Sequence, residues 1–266
     1  MRIMCLNGWG GKLHDELSNY VAAETPDILC LQEVVHSPDT DEDRLTYRDG
    51  DHVLPQRANF FCDMCAALPD HVAWFCPAAQ GDLWRGETAV PSQWGLATFV
   101  RETFPVIAQA QGFVHKSFSP NGYGDHPRSR TAHAVRLYDF GRDRAVCITH
   151  MHGLRDLRGK MDTPERSAQA RRLLELSQRI AEPGDAAIIC GDFNVDPQSE
   201  TLAYLSQNGF DELVLTRGYQ STRTALYDKP NKFADYMLVN GQVDVIDFQV
   251  VSYPVVSDHC PLILEI

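Results

Sequence analysis

The stretch AAIICGDFNVDP, residues 186–197, places an apolar run directly before a group of polar side chains. Residues 186–190 have the composition of a buried strand, and Asp192 and Asn194 follow at its carboxyl end. Because residues i and i+2 of a strand point to the same face, both side chains are expected to project together from the edge of a sheet. The pattern indicates a functional site or, as the alternative, a polar turn, because Gly, Asp and Asn are also frequent in turns.

The strand at residues 186–190 completes one of two predicted strand–helix–strand units, which are the building blocks of α/β proteins. The first unit comprises residues 2–7, 14–23 and 27–32, and the second comprises residues 145–149, 163–180 and 186–190. Thr163 and Pro164 are typical of a helix start and support the second helix. The chain contains no repeat or linker, so we expect a single domain over residues 1–266.

Two segments, 36–92 and 112–130, are rich in Pro, Gly, Asp, Asn and His and lack a clear period. These features predict long loops that carry short helices. Loops of this length usually contribute to binding sites, and we expect them to shape a substrate pocket.

The composition excludes some classes of protein. The chain has 266 residues, 44% of them hydrophobic, which is enough for a substantial core. No run of about 18 apolar residues occurs, so we expect a cytoplasmic protein without membrane insertion. The 8 cysteines are widely spread, which predicts buried thiols without disulfides. Cys62 and Cys65 form an isolated C-x-x-C pair, which indicates one face of a helix rather than a zinc site.

The formal net charge of -12 is unevenly distributed, and basic side chains outnumber acidic ones only in residues 101–180. A net-acidic protein repels bulk nucleic acid, but a divalent cation and a local basic rim still allow it to hold a phosphorylated substrate. Two groups of basic residues would form such a rim and bind a second phosphate, or else belong to solvated basic loops: Arg155, Arg158 and Lys160 after His150, and Arg128 and Arg130 in the loop before the preceding strand. Three tryptophans in or near loops would stack on a substrate ring or fill the core: Trp9, Trp84 and Trp94.

Polar side chains also follow the other predicted strands. They are Asn7, Gln32 and Glu33, His150, Asp235 in the apolar segment 234–239, and Ser257, Asp258 and His259 before the last apolar run. Ligand sites of α/β sheets gather at one end of the strands. We therefore expect these side chains to meet Asp192 and Asn194 in one site.

The ordered set of motifs resembles the endonuclease/exonuclease/phosphatase superfamily of metal-dependent phosphoesterases. The matching pieces are Leu6-Asn7, Leu31-Gln32-Glu33, Thr149-His150, Gly191 to Asn194, Asp235-Tyr236 and Ser257 to His259. Each piece is weak alone, but the ordered set is specific and covers nearly the whole chain. The resemblance implies a four-layer, deoxyribonuclease-like α/β sandwich, in which two packed mixed β-sheets are flanked by helices.

Hydrolysis of a phosphate ester requires a cation, an oriented water and donors to the phosphate oxygens. Glu33 would ligate Mg²⁺ or Mn²⁺, and Asn7 would orient or share that coordination. Asp258 would add a carboxylate to the metal or form only hydrogen bonds around it. The resemblance therefore implies a divalent-metal cofactor.

The remaining site residues would act on the water and the phosphate. Asp192 would orient or deprotonate the attacking water, and Asn194 would donate to the phosphate. His259 would contact the phosphate, and Asp235 would accept from its other ring nitrogen and favour the imidazolium. His150 corresponds to a phosphate donor or general acid of the family. His152 is either a pocket residue or a structural one.

Departures from the family pattern narrow the range of expected substrates. Trp9 stands where abasic-site endonucleases carry an aspartate, and Val195-Asp196-Pro197 lacks the arginine of inositol-phosphate 5-phosphatases. The stretch from Gly191 onward is similar to bacterial members and to deadenylase and sphingomyelinase-type relatives. We expect a phosphodiesterase or phosphatase acting on a phosphorylated small molecule or short nucleic acid. The alternatives are a metal-dependent nuclease and a catalytically silent phosphate-binding protein.

Overall fold

The computed structural model describes residues 1–266, except for the side chain of residue 52. The strands are β1 (Arg2–Asn7), β2 (Ile28–His36), β3 (Arg44–Asp49), β4 (His52–Arg57), β5 (His71–Arg85), β6 (Thr88–Arg101), β7 (Val106–His115), β8 (Arg130–Asp139), β9 (Arg144–His152), β10 (Ala186–Asp192), β11 (Phe210–Glu212), β12 (Asp235–Asn240), β13 (Asp247–Val250) and β14 (Leu262–Glu265). The helices are α1 (His14–Glu24), α2 (Phe60–Ala67), α3 (Pro164–Ile180), α4 (Glu200–Gln207) and α5 (Leu213–Thr216), with a short 3-10 turn at Trp9–Gly11.

The strands form two mixed sheets. The 8-stranded sheet has the order β13-β14-β1-β2-β6-β5-β3-β4, and the 6-stranded sheet has the order β11-β12-β10-β9-β8-β7. β1 pairs with β2 in parallel, and β9 pairs with β10 in parallel. Each parallel pair is the centre of one predicted strand–helix–strand unit, so the two units belong to different sheets.

The two sheets pack face to face. Side chains of β1 point alternately to the core between the sheets and to the helices on the outer face. Ile3 and Cys5 of β1 belong to the same buried cluster as Ile148 and Ile188 of the 6-stranded sheet. Met4 and Leu6 point the other way and pack with residues of α1 and α2, namely Leu17, Val21, Phe60 and Met64. Helix α3 covers the outside of the 6-stranded sheet with Leu173 and Leu176. The predicted four-layer α/β sandwich is confirmed.

The predicted strand at residues 2–7 matches β1, and the predicted helices match α1 and α3 closely. Thr163 caps α3 by accepting a hydrogen bond from the backbone N–H of Arg166, as the helix-start pattern indicates. The predicted strands at 27–32, 145–149 and 186–190 are all present but extend further, as β2, β9 and β10. These extensions carry the polar side chains of the site.

The prediction of long loops at residues 36–92 was wrong, because this segment contains β3, β4, α2, β5 and the start of β6. Residues 112–115 likewise belong to β7, and Arg130 begins β8. Residues 116–129 form the part of this segment that is a loop. Pro77 lies beside an irregularity in the pairing of β5 with β6, and Pro91 pairs with Asp82 further along. Long-range pairing stabilises these strands despite residues that locally disfavour them.

All eight cysteines, each of them among the described residues, are free thiols, and six of them are buried. Cys62 and Cys65 lie on α2, in agreement with the helical interpretation of the C-x-x-C pair. Among the described residues, no helix is long and apolar enough to cross a membrane.

Candidate active site

A cavity of about 860 Å³ lies where the ends of the two sheets meet. The predicted site residues that line it are Glu33, Asp192, Asn194, Asp258, His259, His152, Arg130 and Arg155. Asn7 and Asp235 lie directly behind this lining, in contact with Asp192 and His259 respectively. The structure therefore brings together ten of the eleven predicted residues, and only His150 stays apart.

Glu33 reaches the cavity because β2 is irregular at this position. The pairing of β2 with β6 shifts between Gln32 and Val34, and Glu33 has a φ of 54°. A bulge re-aims the side chain of its extra residue, and here it turns Glu33 toward the cavity. Burial and the nearby carboxylate of Asp258 raise the pKa of Glu33 to about 7, with a smaller contribution from Asp192.

Asp192 is the centre of the hydrogen-bond network. It ends β10, where it pairs with His152 of β9 and with Asp235 of β12. Asn7 donates from Nδ2 to Oδ2 of Asp192 over 3.0 Å, and Asn7 Oδ1 accepts from the backbone N–H of Trp9 over 3.0 Å. The amide of Asn7 is therefore fixed from both sides and holds the carboxylate of Asp192 in place.

Asn194 follows the end of β10 rather than continuing the strand. Its φ is 52°, and its backbone N–H donates to Oδ1 of Asp192 over 3.0 Å. The predicted polar turn is therefore present, and this turn sets the position of Asn194 at the cavity. The expected alternation along one strand face does not extend to Asn194, because the strand ends at Asp192.

His259 contacts the carboxylate of Asp235 through one ring nitrogen and the guanidinium of Arg223 through the other. Its Nδ1 lies 2.8 Å from both carboxylate oxygens of Asp235, and its Nε2 contacts a terminal nitrogen of Arg223. A guanidinium can only donate hydrogen bonds, so Nε2 of His259 must accept this one. Nδ1 then carries the ring hydrogen and donates to Asp235. The predicted contact between His259 and Asp235 is present.

The environment of His259 does not favour its imidazolium form, contrary to the expectation from the Asp235 contact. Burial and the charge of Arg223 lower the pKa of His259 to about 4. Burial also raises the pKa of Asp235 to about 7. Desolvation therefore outweighs the attraction between the two groups in the structure as it stands.

His150 lies behind the cavity and does not line it. Its Nδ1 lies 3.1 Å from Nε2 of Gln32, and its Nε2 lies 2.7 Å from Oγ1 of Thr98, so both ring nitrogens have partners inside the protein. Burial lowers its pKa well below the usual value. A direct catalytic contact from His150 does not fit this geometry, and we correct that prediction.

His152 occupies the position predicted for His150. It pairs with Asp192, whereas His150 pairs with Cys190, two residues deeper in the sheet. Two residues along a strand span about 6.6 Å, so His152 reaches the cavity whereas His150 lies in the core. Nε2 of His152 lies 3.7 Å from Oδ2 of Asp192 and 3.9 Å from Oε1 of Glu33. Of the two interpretations for His152, the pocket residue agrees with the structure.

The carboxylates suit a divalent cation. Oδ1 of Asp258 is shielded from solvent and has no hydrogen-bond partner among the described residues, while its Oδ2 accepts from Arg223 over 2.8 Å. Together with Glu33, this atom offers hard oxygen donors of the kind that Mg²⁺ and Mn²⁺ prefer. A second grouping is formed by Asp192, Asp235 and His259, whose ligand atoms lie within 4.8 Å of one another. The residues present therefore fit a metal centre.

The cavity wall next to His152 is aromatic and basic. The guanidinium of Arg130 lies 4.8 Å over the ring of Trp94, and the ring centroids of Trp94 and His152 are 5.1 Å apart. Trp9 lines the cavity on another side, with Nζ of Lys12 3.7 Å over its ring. Of the three tryptophans considered, only Trp84 does not line the cavity in the part of the chain that the structure describes.

Arg223 is the main functional residue that the sequence did not reveal. Its side chain is only 7% exposed, and the residue lies in a segment without regular secondary structure, where it forms an isolated β-bridge with His259. Its Nε is buried without a partner among the described residues, and its guanidinium lies 4.3 Å over the ring of Tyr227. No local pattern marks this residue, because its position depends on contact with the turn at Asp258 and His259, more than 30 residues further along the chain.

A profile of the Endonuclease/Exonuclease/phosphatase family matches residues 4–259. The chain belongs to this family. The endonuclease/exonuclease/phosphatase family consists of hydrolases that act on phosphate esters. The same assignment agrees with the two packed mixed sheets and with the ordered motifs around the cavity. A comparison with curated proteins finds no match.

Solved structures with the endonuclease/exonuclease/phosphatase fold resemble the chain over its full length. A mannosyl-6-phosphatase of Bacteroides thetaiotaomicron is 14% identical with a TM-score of 0.70, covering 100% of this chain and 98% of that chain. A family member from Bacteroides vulgatus is 17% identical with a TM-score of 0.68, covering 99% and 97%. The human nocturnin catalytic domain with bound sulfate is 21% identical with a TM-score of 0.65, covering 99% and 93%. At these identities the likeness establishes the fold.

Proposed function

We propose that this protein is a divalent-metal-dependent hydrolase of phosphate ester bonds that acts on a small or short phosphorylated substrate. The observation that carries the proposal is the network in which Asn7 and Asn194 hold Asp192 at the floor of the cavity, beside Glu33 and His259. The carboxylate, amide and imidazole groups that phosphate-ester hydrolysis requires are all present. A silent binding protein would have no need to keep this complete set.

Asp192 is the residue proposed to orient the attacking water and take its proton. Each of its oxygens already accepts one hydrogen bond, from Asn7 or from Asn194, which leaves acceptor capacity directed at the cavity. The water oxygen forms a bond to phosphorus, and the bond from phosphorus to the leaving oxygen breaks. The proton of the water passes to Asp192, and the leaving alcohol takes a proton from solvent.

The phosphate oxygens need donors on the other side of the site. Asn194 offers its amide, and Arg223 offers a guanidinium that Asp258 orients over 2.8 Å. His259, aligned by Asp235, accepts from this guanidinium through Nε2 and so holds it at the phosphate-binding face. His152 stands between Asp192 and Glu33 and limits the space in which the substrate phosphate is held. These positions match the demands of an anionic, pentacoordinate transition state.

Glu33 and Asp258 are the proposed metal ligands, with Asn7 close to Glu33 as an orienting group. A bound Mg²⁺ or Mn²⁺ would neutralise phosphate charge and polarise the phosphorus–oxygen bonds. Arg130 and Arg155 are proposed to contact the substrate from the basic wall. We also propose that the chain acts as one domain, because one buried cluster joins both sheets.

The substrate class is supported by the size of the cavity, about 860 Å³, which suits a small molecule. The net charge of -12 disfavours extended contact with a long polyanion. A mannosyl-6-phosphatase among the structural neighbours is compatible with a small phosphorylated substrate, and nocturnin with bound sulfate is compatible with anion binding in this fold.

The test is hydrolysis of bis(4-nitrophenyl) phosphate by the full chain with Mg²⁺ or Mn²⁺. We expect turnover that disappears with a chelator and falls by at least about 1,000-fold in Asp192→Asn. Asp211→Asn, at an exposed position on β11, is the matched control and keeps full activity. Phosphate binding without turnover in either metal would instead establish the silent binding protein. Efficient cleavage of long duplex DNA would establish the nuclease alternative.

A further inference from the structure

One wall of the cavity carries guanidinium groups that lack an ion pair. We define the basic wall as Arg130 at the start of β8 and Arg155 in the loop after β9. Neither residue forms an ion pair with any carboxylate that the structure describes. Arg128, which is paired with Asp49 over 2.8 Å, flanks the wall. Burial lowers the pKa of His126, and the charges of Arg128, Arg155 and Arg130 nearby lower it further.

Arg130 is the buried part of the basic wall and is 3% exposed. It donates from Nε to the carbonyl of Gly153 over 2.8 Å and from one terminal nitrogen to the carbonyl of Ser129 over 3.3 Å. Neutral carbonyls do not compensate a buried charge as a directly paired carboxylate would. Burial lowers the pKa of Arg130 to about 10, while the charges of Glu33 and Asp192 in the cavity act in the opposite direction. The charge of Arg130 is therefore available to an anion in the cavity.

Arg155 is exposed to the cavity, but its loop is rigidly held. Arg166, which is 1% exposed, donates to the carbonyl of Gly159 over 2.9 Å and also bonds the carbonyls of Leu154 and Met161. One buried guanidinium thus ties together both ends of the loop that carries Arg155. This support orders the position of Arg155 before any ligand binds, which lowers the entropic cost of binding.

The basic wall adjoins the acidic centre of the cavity, because Nε of Arg130 and Nδ2 of Asn194 donate to the same carbonyl of Gly153, over 2.8 Å and 3.4 Å. The guanidinium of Arg130 lies 4.8 Å over the ring of Trp94, and the ring centroids of Trp94 and His152 are 5.1 Å apart. His152 in turn stands 3.7 Å from the carboxylate of Asp192. The reacting phosphate already has donors at that centre, from Asn194 and Arg223. Binding of a single phosphate therefore does not require the guanidinium groups of the basic wall.

We propose that the substrate carries a second anionic group, a phosphate or carboxylate, and that Arg130 and Arg155 bind this group while the reacting phosphate lies at Asp192. The inference rests on the proposed function and names its substrate class, a small molecule with two anionic groups. Trp94, which contacts both Arg130 and His152, would pack against the part of the substrate that links the anions.

The experiment uses the full chain and a series of alkanediol bisphosphates with two to six methylene groups, each matched by its hydroxyalkyl monophosphate. Dissociation constants are measured by isothermal titration calorimetry at constant free Mg²⁺, and inhibition of bis(4-nitrophenyl) phosphate hydrolysis is measured separately. At the best linker length, we expect the bisphosphate to bind at least about 10-fold more tightly than its monophosphate. Arg155→Ala should reduce that ratio to about twofold.

The matched control is Arg158→Ala, which removes a charge from the same loop. Arg158 is exposed, is paired with Asp156, and does not line the cavity in the described part of the chain. In this variant, the ratio of the monophosphate to the bisphosphate dissociation constant and the rate of hydrolysis should equal those of the unmodified protein. Because Arg155 is exposed, its replacement should not impair folding, and thermal unfolding checks this point.

Two results would overturn the inference. One is a bisphosphate that binds no better than its monophosphate at every linker length. The other is an equal loss of affinity for both ligands in Arg155→Ala, which would assign the basic wall to the reacting phosphate itself. The two proposals can fail separately. If the proposed function is wrong, no hydrolysis is observed, but calorimetry still measures whether the second anion increases the affinity.

Discussion

The Nδ1 atom of His259 lies 2.8 Å from both carboxylate oxygens of Asp235, so one buried acid fixes the orientation of a buried imidazole. Asp235→Asn keeps the shape but removes the charge that aligns the ring and selects its tautomer. We expect kcat for bis(4-nitrophenyl) phosphate to fall by about 100-fold or more, as for other buried acid–histidine pairs. Asp211→Asn serves as the control, and a kcat within about threefold of the unmodified enzyme would contradict the assignment.

Glu33 should determine metal affinity. Glu33→Gln removes one negative charge from a site that also contains Asp258, and we expect the affinity for Mn²⁺ to fall by at least about 10-fold. Isothermal titration calorimetry with Mn²⁺ and Mg²⁺ measures this directly, without substrate. Glu102→Gln, at an exposed position, should bind metal as the unmodified protein does. Unchanged affinity in Glu33→Gln would remove Glu33 from the metal centre.

His150 and His152 should differ in what they contribute. His150→Ala removes one buried hydrogen-bond partner each from Gln32 and Thr98 and leaves a cavity, so the free energy of unfolding should decrease by about 2 kcal/mol. His152→Ala should instead decrease kcat/KM by at least about 10-fold, because the ring lies between Asp192 and Glu33. Urea unfolding and steady-state kinetics on both variants separate the two roles. A purely catalytic defect in His150→Ala would reverse our correction.

Arg223 should act through its planar fork and not through charge alone. One of its terminal nitrogens contacts both Asp258 and His259, which a lysine cannot reproduce with the same geometry. We expect Arg223→Lys to lose about 10-fold or more in kcat while it keeps its thermal stability within a few degrees. Arg217→Lys, on the exposed end of α5, is the conservative control. Full activity in Arg223→Lys would show that a positive charge is sufficient there.

Gly191 should be essential for the fold around the site. Its φ is 138°, and a Cβ atom at this position would lie 2.1 Å from the carbonyl oxygen of Met151 on the neighbouring strand. We expect Gly191→Ala to decrease the free energy of unfolding by about 3 kcal/mol or more, measured by urea denaturation. Gly241→Ala is the control, because a Cβ there meets no atom within 4 Å. Equal stability of the two variants would be inconsistent with this close strand contact.

Several parts of the site followed from local sequence. The apolar run at 186–190 correctly predicted a strand, which the structure extends to Asp192. The segment 2–7 was also correctly predicted as a strand, and the ordered motifs predicted the family and the two packed sheets. The assignments of catalytic and metal-binding roles to Glu33, Asp192 and His259 stay predictions until the variants are measured.

Other parts depended on contacts between distant segments. The depth of His150 relative to His152 follows from the register of β9 against β10, and the direction of Glu33 follows from the bulge against β6. The strands in residues 36–92 are stabilised mainly by pairing with one another, so their local composition was misleading. Arg223 joined the site only through its bridge to His259.

The sequence by itself determined the strands of the two central units and the polar residues that stand at their ends, because strand and turn composition are properties of neighbouring residues. The tertiary structure decided which of those side chains reach the cavity, which histidine is buried, and which cations remain without a carboxylate. Those outcomes depend on strand register, bulges and charge pairing across the fold, and such interactions are set only when distant segments pack together.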